Sequence, residues 1–195
     1  MHPLILATSN PNKAREIQSL LPGYFEVITL KEAGIEQEIP EPFFTLEENS
    51  RHKAFTIYSL TGKDCFAEDT GLETEVLKGA PGVHSARFAG EPRNDLRNME
   101  KLLNELNGET NRKAQFRTVM TLVLNGETHL FEGICKGQIT LSPRGTEGFG
   151  YDPVFVPEGS TLTFAEMGLE EKNRFSHRKK ALFKMIDYLQ KTITP

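Results

Sequence analysis

The sequence predicts an α/β domain: a mixed, twisted sheet flanked by helices. Three observations carry this. Short apolar runs such as Leu4–Ala7 and Cys65–Ala67 read as buried strands. Between them, apolar residues recur at helical spacing, as at Ala14, Ile17, Leu20 and Leu21. The run 116–124, then Asn125-Gly126, then 128–134, reads as a hairpin, because Asn-Gly tolerates the positive φ angles of a type I′ turn; one strand pair is therefore antiparallel. A length of 195 residues suits one domain, 1–195, and no linker divides it by composition.

The elements follow in order. After the first strand and helix, Pro22-Gly23 stops the helix and 25–30 forms a second strand. Residues 36–44, rich in Pro and Glu, form a loop. Thr45 opens a helix with Glu48 as capping-box partner, and Gly62 closes it. Cys65-Phe66-Ala67 is a short strand ending at Glu68-Asp69-Thr70-Gly71, and Gly79-Ala80-Pro81-Gly82 is a tight loop. Leu96, Met99, Leu103 and Leu106 make one helical stripe that needs a partner surface. A Gly-rich loop spans 144–150, a strand 151–156, and the last helix carries Leu182, Met185, Ile186 and Leu189 on one face.

Composition narrows the function. The formal charge is −4 and the pI about 5.8, so the basic excess of a protein that lives on nucleic acid is missing. Cys65 and Cys135 stand far apart with no neighbouring ligand. They read as half-buried thiols of a reducing cytoplasm rather than a disulfide framework or zinc site. The first residues lack a signal-peptide pattern, and nothing approaches the roughly 20 apolar residues of a membrane helix. The Walker loop, Gly-x-Ser-x-Gly, His-Glu-x-x-His and the EF-hand loop are all missing from the sequence.

Four stretches can carry chemistry. Thr8-Ser9-Asn10-Pro11-Asn12-Lys13, between a strand and a helix, offers backbone N–H groups, a positive helix end and an ammonium to an anion; an ordinary loop with an Asn cap is the bland alternative. Glu68-Asp69-Thr70-Gly71 ends an apolar strand, where open α/β sheets place ligands, and its acids suit Mg²⁺ unless they only make an acidic turn. Successive strand residues face opposite ways, so both acids cannot bind one ion unless the chain breaks there. In 145–153, glycines flank Phe149, which suits a flat base stacked on a ring, or simply a buried Phe. In 172–178, Ser176 caps the last helix. His177 and Arg178 then fall in its first turn, where cations oppose the dipole, a mismatch that points to a site or to a solvated basic face.

In their order along nearly the whole chain these stretches resemble the inosine triphosphate pyrophosphatase family. The match includes Glu48-Asn49-Ser50-Arg51-His52-Lys53-Ala54, Gly79 to Phe88, Gly148-Phe149-Gly150-Tyr151-Asp152-Pro153 and Ser176-His177-Arg178. Many bacterial members have Asp-Asp-Ser where this chain has Glu68-Asp69-Thr70, although Glu-Asp-Thr also occurs. The resemblance implies a homodimer whose subunits each have two lobes around a long sheet, with the active site in a cleft. It implies hydrolysis of ITP, dITP and XTP to the monophosphate and pyrophosphate with Mg²⁺.

In that reading Asp69 activates water or holds the metal, with Glu68 and Glu41 as further metal carboxylates. Thr8, Ser9, Asn10, Pro11, Asn12, Lys13, Lys53 and Thr70 bind the phosphate side. Phe149 stacks on the purine, and Gly150, Tyr151, Asp152, Lys172, His177 and Arg178 surround base and sugar. A 6-oxo group accepts hydrogen bonds where the 6-amino group of adenine donates them, so a donor such as Arg178 selects hypoxanthine and xanthine. A non-catalytic purine-nucleotide sensor is the competing reading; it keeps Phe149, Lys172 and Arg178 but has no need of Asp69.

Overall fold

The computed structural model describes residues 2–20, 25–37 and 39–193. Its strands are β1 (His2–Leu6), β2 (Phe25–Thr29), β3 (Cys65–Thr74), β4 (Pro81–Gly82), β5 (Lys113–Leu124), β6 (Glu127–Ile139) and β7 (Phe155–Pro157). Its α-helices are α1 (Pro11–Leu20), α2 (Leu46–Thr61), α3 (Asp95–Glu105), α4 (Leu169–Phe175) and α5 (His177–Ile193). The strand order is β2-β1-β3-β5-β6-β7, with β4 on β3. β1 runs parallel to β2 and β3, whereas β3–β4 and β6–β7 are antiparallel, so the sheet is mixed as expected.

The chain divides into two compact units, each assembled from separated stretches. One comprises residues 1–69, 118–133 and 178–195; the other comprises 70–117 and 134–177. In the first unit the strand pleat sorts the core. Leu4, Leu6, Phe66, Met120 and Leu122 pack with Ile17 of α1 and with Leu182, Met185, Ile186 and Leu189 of α5. Ile5, Ala7, Cys65, Ala67 and Val123 point the other way, onto Ala54 and Ile57 of α2. This is a two-residue period read by helices on both faces. In the second unit Leu72, Phe116, Phe155, Phe164 and Met167 pack with Met99 and Leu102 of α3 and with Leu106 at its C-cap.

Local signals hold where they are chemical. The Thr45 hydroxyl caps α2: it accepts from the Glu48 N–H at 3.2 Å and donates to the Glu48 carboxylate at 2.7 Å. Gly62 ends α2 at φ 63°, the left-handed region that glycine enters at little cost. Asn125 and Gly126 both take positive φ at the β5–β6 turn.

Several expectations are corrected. β3 does not stop at the Glu68-Asp69 pair but continues to Thr74, pairing with β4 at Leu72 and Glu73. Residues 152–154 form a 3₁₀ turn, leaving 155–157 as the strand, because Pro153 cannot donate to a ladder. The cysteines are fully buried rather than half-buried, at 0% and 3% exposure. On α3 the buried stripe is Met99, Leu102 and Leu106 with Leu103 beside it, and Leu96 is 68% exposed. That helix finds its apolar partner in its own unit, so it gives no argument for a dimer. The Pro22-Gly23 stop lies outside the described residues. Among the described residues no helix is long and apolar enough to cross a membrane.

The α3 correction is measurable. Leu102→Ala should lower unfolding free energy by about 2–5 kcal/mol, as buried Leu→Ala changes do, while Leu96→Ala should stay within about 0.5 kcal/mol of wild type. Urea titration of both variants checks this, and equal losses would restore the wider stripe.

Candidate functional site

The unbroken pleat of β3 places its two acids on opposite faces. Glu68 follows Phe66 onto the face covered by α1 and α5, and Asp69 follows Ala67 onto the face covered by α2. Both are buried, at 1% and 5% exposure. An isolated buried carboxylate is strongly unfavourable, so each needs its own cations.

On the Glu68 face, Oε2 accepts from Arg178 Nε at 2.8 Å and Oε1 lies 3.2 Å from Lys13 Nζ. Arg178 is 1% exposed and also pairs with Glu16 through a second guanidinium nitrogen. Local structure delivers these groups. Asn10 Oδ1 caps α1, accepting from the N–H groups of Asn12 and Lys13 at 3.0 and 3.3 Å, and Pro11 opens the helix. Thr8 Oγ1 accepts from the Asn10 N–H at 3.2 Å, and Ser9 is exposed beside it. The 8–13 stretch is therefore a capped helix start with Lys13 aimed at β3. Arg178 comes from the first turn of α5, where its two carboxylate partners remove the conflict with the helix dipole.

On the other face Lys53 Nζ bonds to Glu41 and lies 3.5 Å from Asp69 Oδ1. Asn49, one helical turn before Lys53, holds the 41–44 loop by bonds to both the N–H and the C=O of Phe43, at 3.0 and 3.1 Å. It also bonds to Asp69. Thr70 follows in β3, half-buried.

The two acids differ in character. Burial would raise the Glu68 carboxyl, but Arg178 and then Lys13 outweigh it and hold the group at about 2. Burial pushes the Asp69 carboxyl up from its ordinary value; Lys53 and Lys13 oppose this, and Glu41 adds to the rise. Burial would lower Lys53, but Asp69 and Glu41 raise it and keep it an ammonium. Lys53 is shared between two carboxylates, so Asp69 is left the better proton acceptor of the two β3 acids.

In the second unit the Gly-rich loop is held by charge. Asp152 Oδ2 accepts from the Phe149 N–H at 2.9 Å and from Lys172 Nζ at 2.7 Å. Gly148 stands at φ +79°, and a Cβ there would run into the Asp152 carboxylate, so no other residue serves. Lys172 Nζ lies 5.2 Å from the Phe149 ring centroid and 5.4 Å from that of Phe164. His177 is 2% exposed and stacks on Phe116 at 4.7 Å between centroids. Gly150 donates its N–H to Asp95, and Tyr151 its hydroxyl to the Ser85 C=O, each at 2.9 Å.

The residues singled out in the sequence thus gather into three clusters: Lys13, Glu68 and Arg178; Glu41, Lys53 and Asp69; Phe149, Asp152 and Lys172. The pleat sets Glu68 and Asp69 on opposite faces of β3, Glu68 beside Lys13 and Arg178 and Asp69 beside Lys53. Sequence reasoning missed Glu16 and Asn49. Each shares a helix face with a residue it did find, Glu16 three positions after Lys13 and Asn49 four before Lys53, and that spacing was the available signal.

The sequence profile described as the Ham1 family matches residues 4–188. A dITP/XTP pyrophosphatase of Flavobacterium psychrophilum is 52% identical over 187 residues, covering 96% of this chain and 98% of that protein. The dITP/XTP pyrophosphatase of Porphyromonas gingivalis is 50% identical over 190 residues, covering 97% and 98%. Among solved structures, the Ham1 protein of Staphylococcus aureus aligns with a TM-score of 0.89 at 34% identity, over 97% of this chain and 99% of that one. A HAM1 protein from Coxiella burnetii gives 0.90 at 34%, over 98% and 100%.

The depressed Glu68 carboxyl links stability to pH. The folded chain protonates Glu68 only near pH 2, whereas the ordinary value is 4.5. Its contribution is complete above about pH 4.5 and is lost as pH falls toward 2. Glu68→Gln should therefore be less stable than wild type by about 3 kcal/mol at neutral pH, and the gap should shrink on acidification. Urea titrations of both at neutral pH and near pH 3 test this, and a gap independent of pH would contradict it.

Proposed function

Because the chain belongs to the Ham1 family, we propose that it hydrolyses the noncanonical purine nucleoside triphosphates ITP, dITP and XTP to the monophosphate and pyrophosphate, and so cleanses the nucleotide pool. The observation that carries the catalytic reading is Asp69: a buried carboxylate with a raised proton affinity beside a lysine. Asp69 takes a proton from water as the water oxygen bonds to the α-phosphorus. The bond from that phosphorus to its bridging oxygen breaks, and pyrophosphate leaves with the electron pair. Lys13 and Lys53 offset the charge of the phosphate tail, with Thr8 to Asn12 and Thr70 beside them.

The donor set fits a divalent ion. Asp69 and Glu41 converge on one cationic point, Lys53 Nζ, and Mg²⁺ is commonly held by one or two carboxylates plus phosphate oxygens. These two residues would hold Mg²⁺, which supplies charge neutralisation on the triphosphate. Glu68 instead fixes Lys13 and Arg178.

For the base, Phe149 stacks on the purine, while Gly150, Tyr151, Asp152, Lys172 and His177 enclose base and sugar. Arg178, anchored on Glu68 and Glu16, donates to the 6-oxo edge, and such an anchored guanidinium is a directed donor. On the same reading residues 1–195 act as one pyrophosphatase domain, and the enzyme is a cytoplasmic homodimer with no nucleic-acid or membrane partner.

Pyrophosphate release from ITP, with and without Mg²⁺, is the direct test. Asp69→Asn should lower turnover by roughly 10²–10⁴-fold and leave nucleotide affinity within a few-fold, because the isosteric amide cannot accept the proton. Turnover within a few-fold of wild type would remove Asp69 from the chemistry. A wild-type chain that binds IMP but releases no pyrophosphate would be a sensor.

Base selection has its own signature. Stacking is nearly blind to base identity, so Phe149→Ala should lower kcat/KM for ITP and ATP alike, by about tenfold. Arg178→Ala should collapse the ITP/ATP ratio, because a directed donor distinguishes oxo from amino. If His177→Ala collapses the ratio instead, the histidine is the donor.

A further inference from the structure

The stretch from Gly79 to Phe88 has no part in the proposed chemistry, yet its bonds lead to the base loop. Three consecutive residues of that loop are each fastened by a different acceptor. The Phe149 N–H is held by Asp152, the Gly150 N–H by Asp95 Oδ2 and the Tyr151 hydroxyl by the Ser85 C=O, each at 2.9 Å. Ser85 is anchored in turn: its Oγ accepts from the Leu72 N–H of β3 at 2.9 Å and donates to the Gly82 C=O at 2.6 Å. Asn98, one turn along α3 from Asp95, closes the same stretch by bonding to the Ala89 N–H and the Ala86 C=O at 2.7 and 3.0 Å. Residues 82–98 thus form a polar brace that reaches the Phe149-Gly150 backbone through the Asp95 carboxylate.

We propose that Asp95 is a positioning residue for purine binding. By accepting the Gly150 N–H it fixes the second of two adjacent amides, the first being fixed by Asp152, and so sets the plane in which the Phe149 ring meets the base. The inference rests on the reading that Phe149 stacks on the purine. A side-chain oxygen that accepts a backbone N–H is suited to this, since the bond holds the loop in one geometry and its loss leaves that N–H without its acceptor. The rival role for Asp95 is electrostatic. It is the first residue of α3 and lies 3.3 Å from Arg93 Nε, so its charge also favours the helix N-terminus.

Two variants separate these roles. Asp95→Asn keeps an oxygen able to accept the Gly150 N–H and loses the charge; Asp95→Ala loses both. Titrations of IMP and of inorganic pyrophosphate, followed by calorimetry, read base and phosphate binding apart and need no turnover. Asp95→Ala should weaken IMP about tenfold and leave pyrophosphate within about twofold, while Asp95→Asn stays within about threefold of wild type for both. With ITP, Asp95→Ala should raise KM by a similar factor and hold kcat within about threefold. Unchanged IMP affinity in Asp95→Ala, equal weakening in the Asn and Ala variants, or an equal loss of pyrophosphate affinity would each overturn the proposal. Failure of the catalytic reading is seen separately, as a wild-type chain that binds IMP without releasing pyrophosphate.

Discussion

Two adjacent buried carboxylates on one unbroken strand are the constraint around which the first unit is arranged. Neighbouring residues of β3 face opposite ways, so Glu68 and Asp69 draw their nearest cations from different layers of helices, although the charge of Lys13 is felt by both. α1 and α5 supply Lys13 and Arg178 to one side, and α2 supplies Lys53 to the other. Glu16 and Glu41 complete the two clusters, so that cations and carboxylates alternate within each. The apolar residues just before the acids, Phe66 and Ala67, lie in the two separate cores that hold those helices in place.

The same arrangement gives the acids unequal chemistry. Glu68 receives more positive charge than burial removes, and it stays ionised far below neutrality. Its work is to orient a lysine and an arginine. Asp69 shares Lys53 with Glu41, and burial leaves its carboxyl above the ordinary value. Two adjacent acids of one strand are thus divided by environment into a carboxylate held ionised and one of raised proton affinity. Paired carboxylates take different roles in this way whenever their surroundings push their proton affinities apart.

The second unit solves a different problem with similar means. A glycine-rich loop has little side-chain packing to hold it, and here Asp152, Asp95 and the Ser85 carbonyl fasten its backbone and its tyrosine. Lys172 compensates the buried Asp152 and lies near the faces of Phe149 and Phe164. The loop keeps the access that glycines provide and gains its definition from charged groups outside it.

By itself the sequence determined whatever depends on short-range chemistry. The Thr45 cap, the Gly62 stop, the Asn125-Gly126 turn and the alternation of β1 all follow from interactions within a few residues. The ordered motifs also sufficed to recognise the family and to single out Lys13, Lys53, Asp69, Phe149 and Lys172. Only the tertiary structure decided how those residues pair. That Arg178 meets Glu68 and Glu16, that α3 buries Leu102 and leaves Leu96 exposed, and that Asp95 reaches Gly150 are contacts across long sequence separations. Periodicity says which residues share a face, but not which other face will meet it. Buried charge must be matched wherever the fold brings the opposite charge, and that position is set by the packing of the whole sheet and its helices.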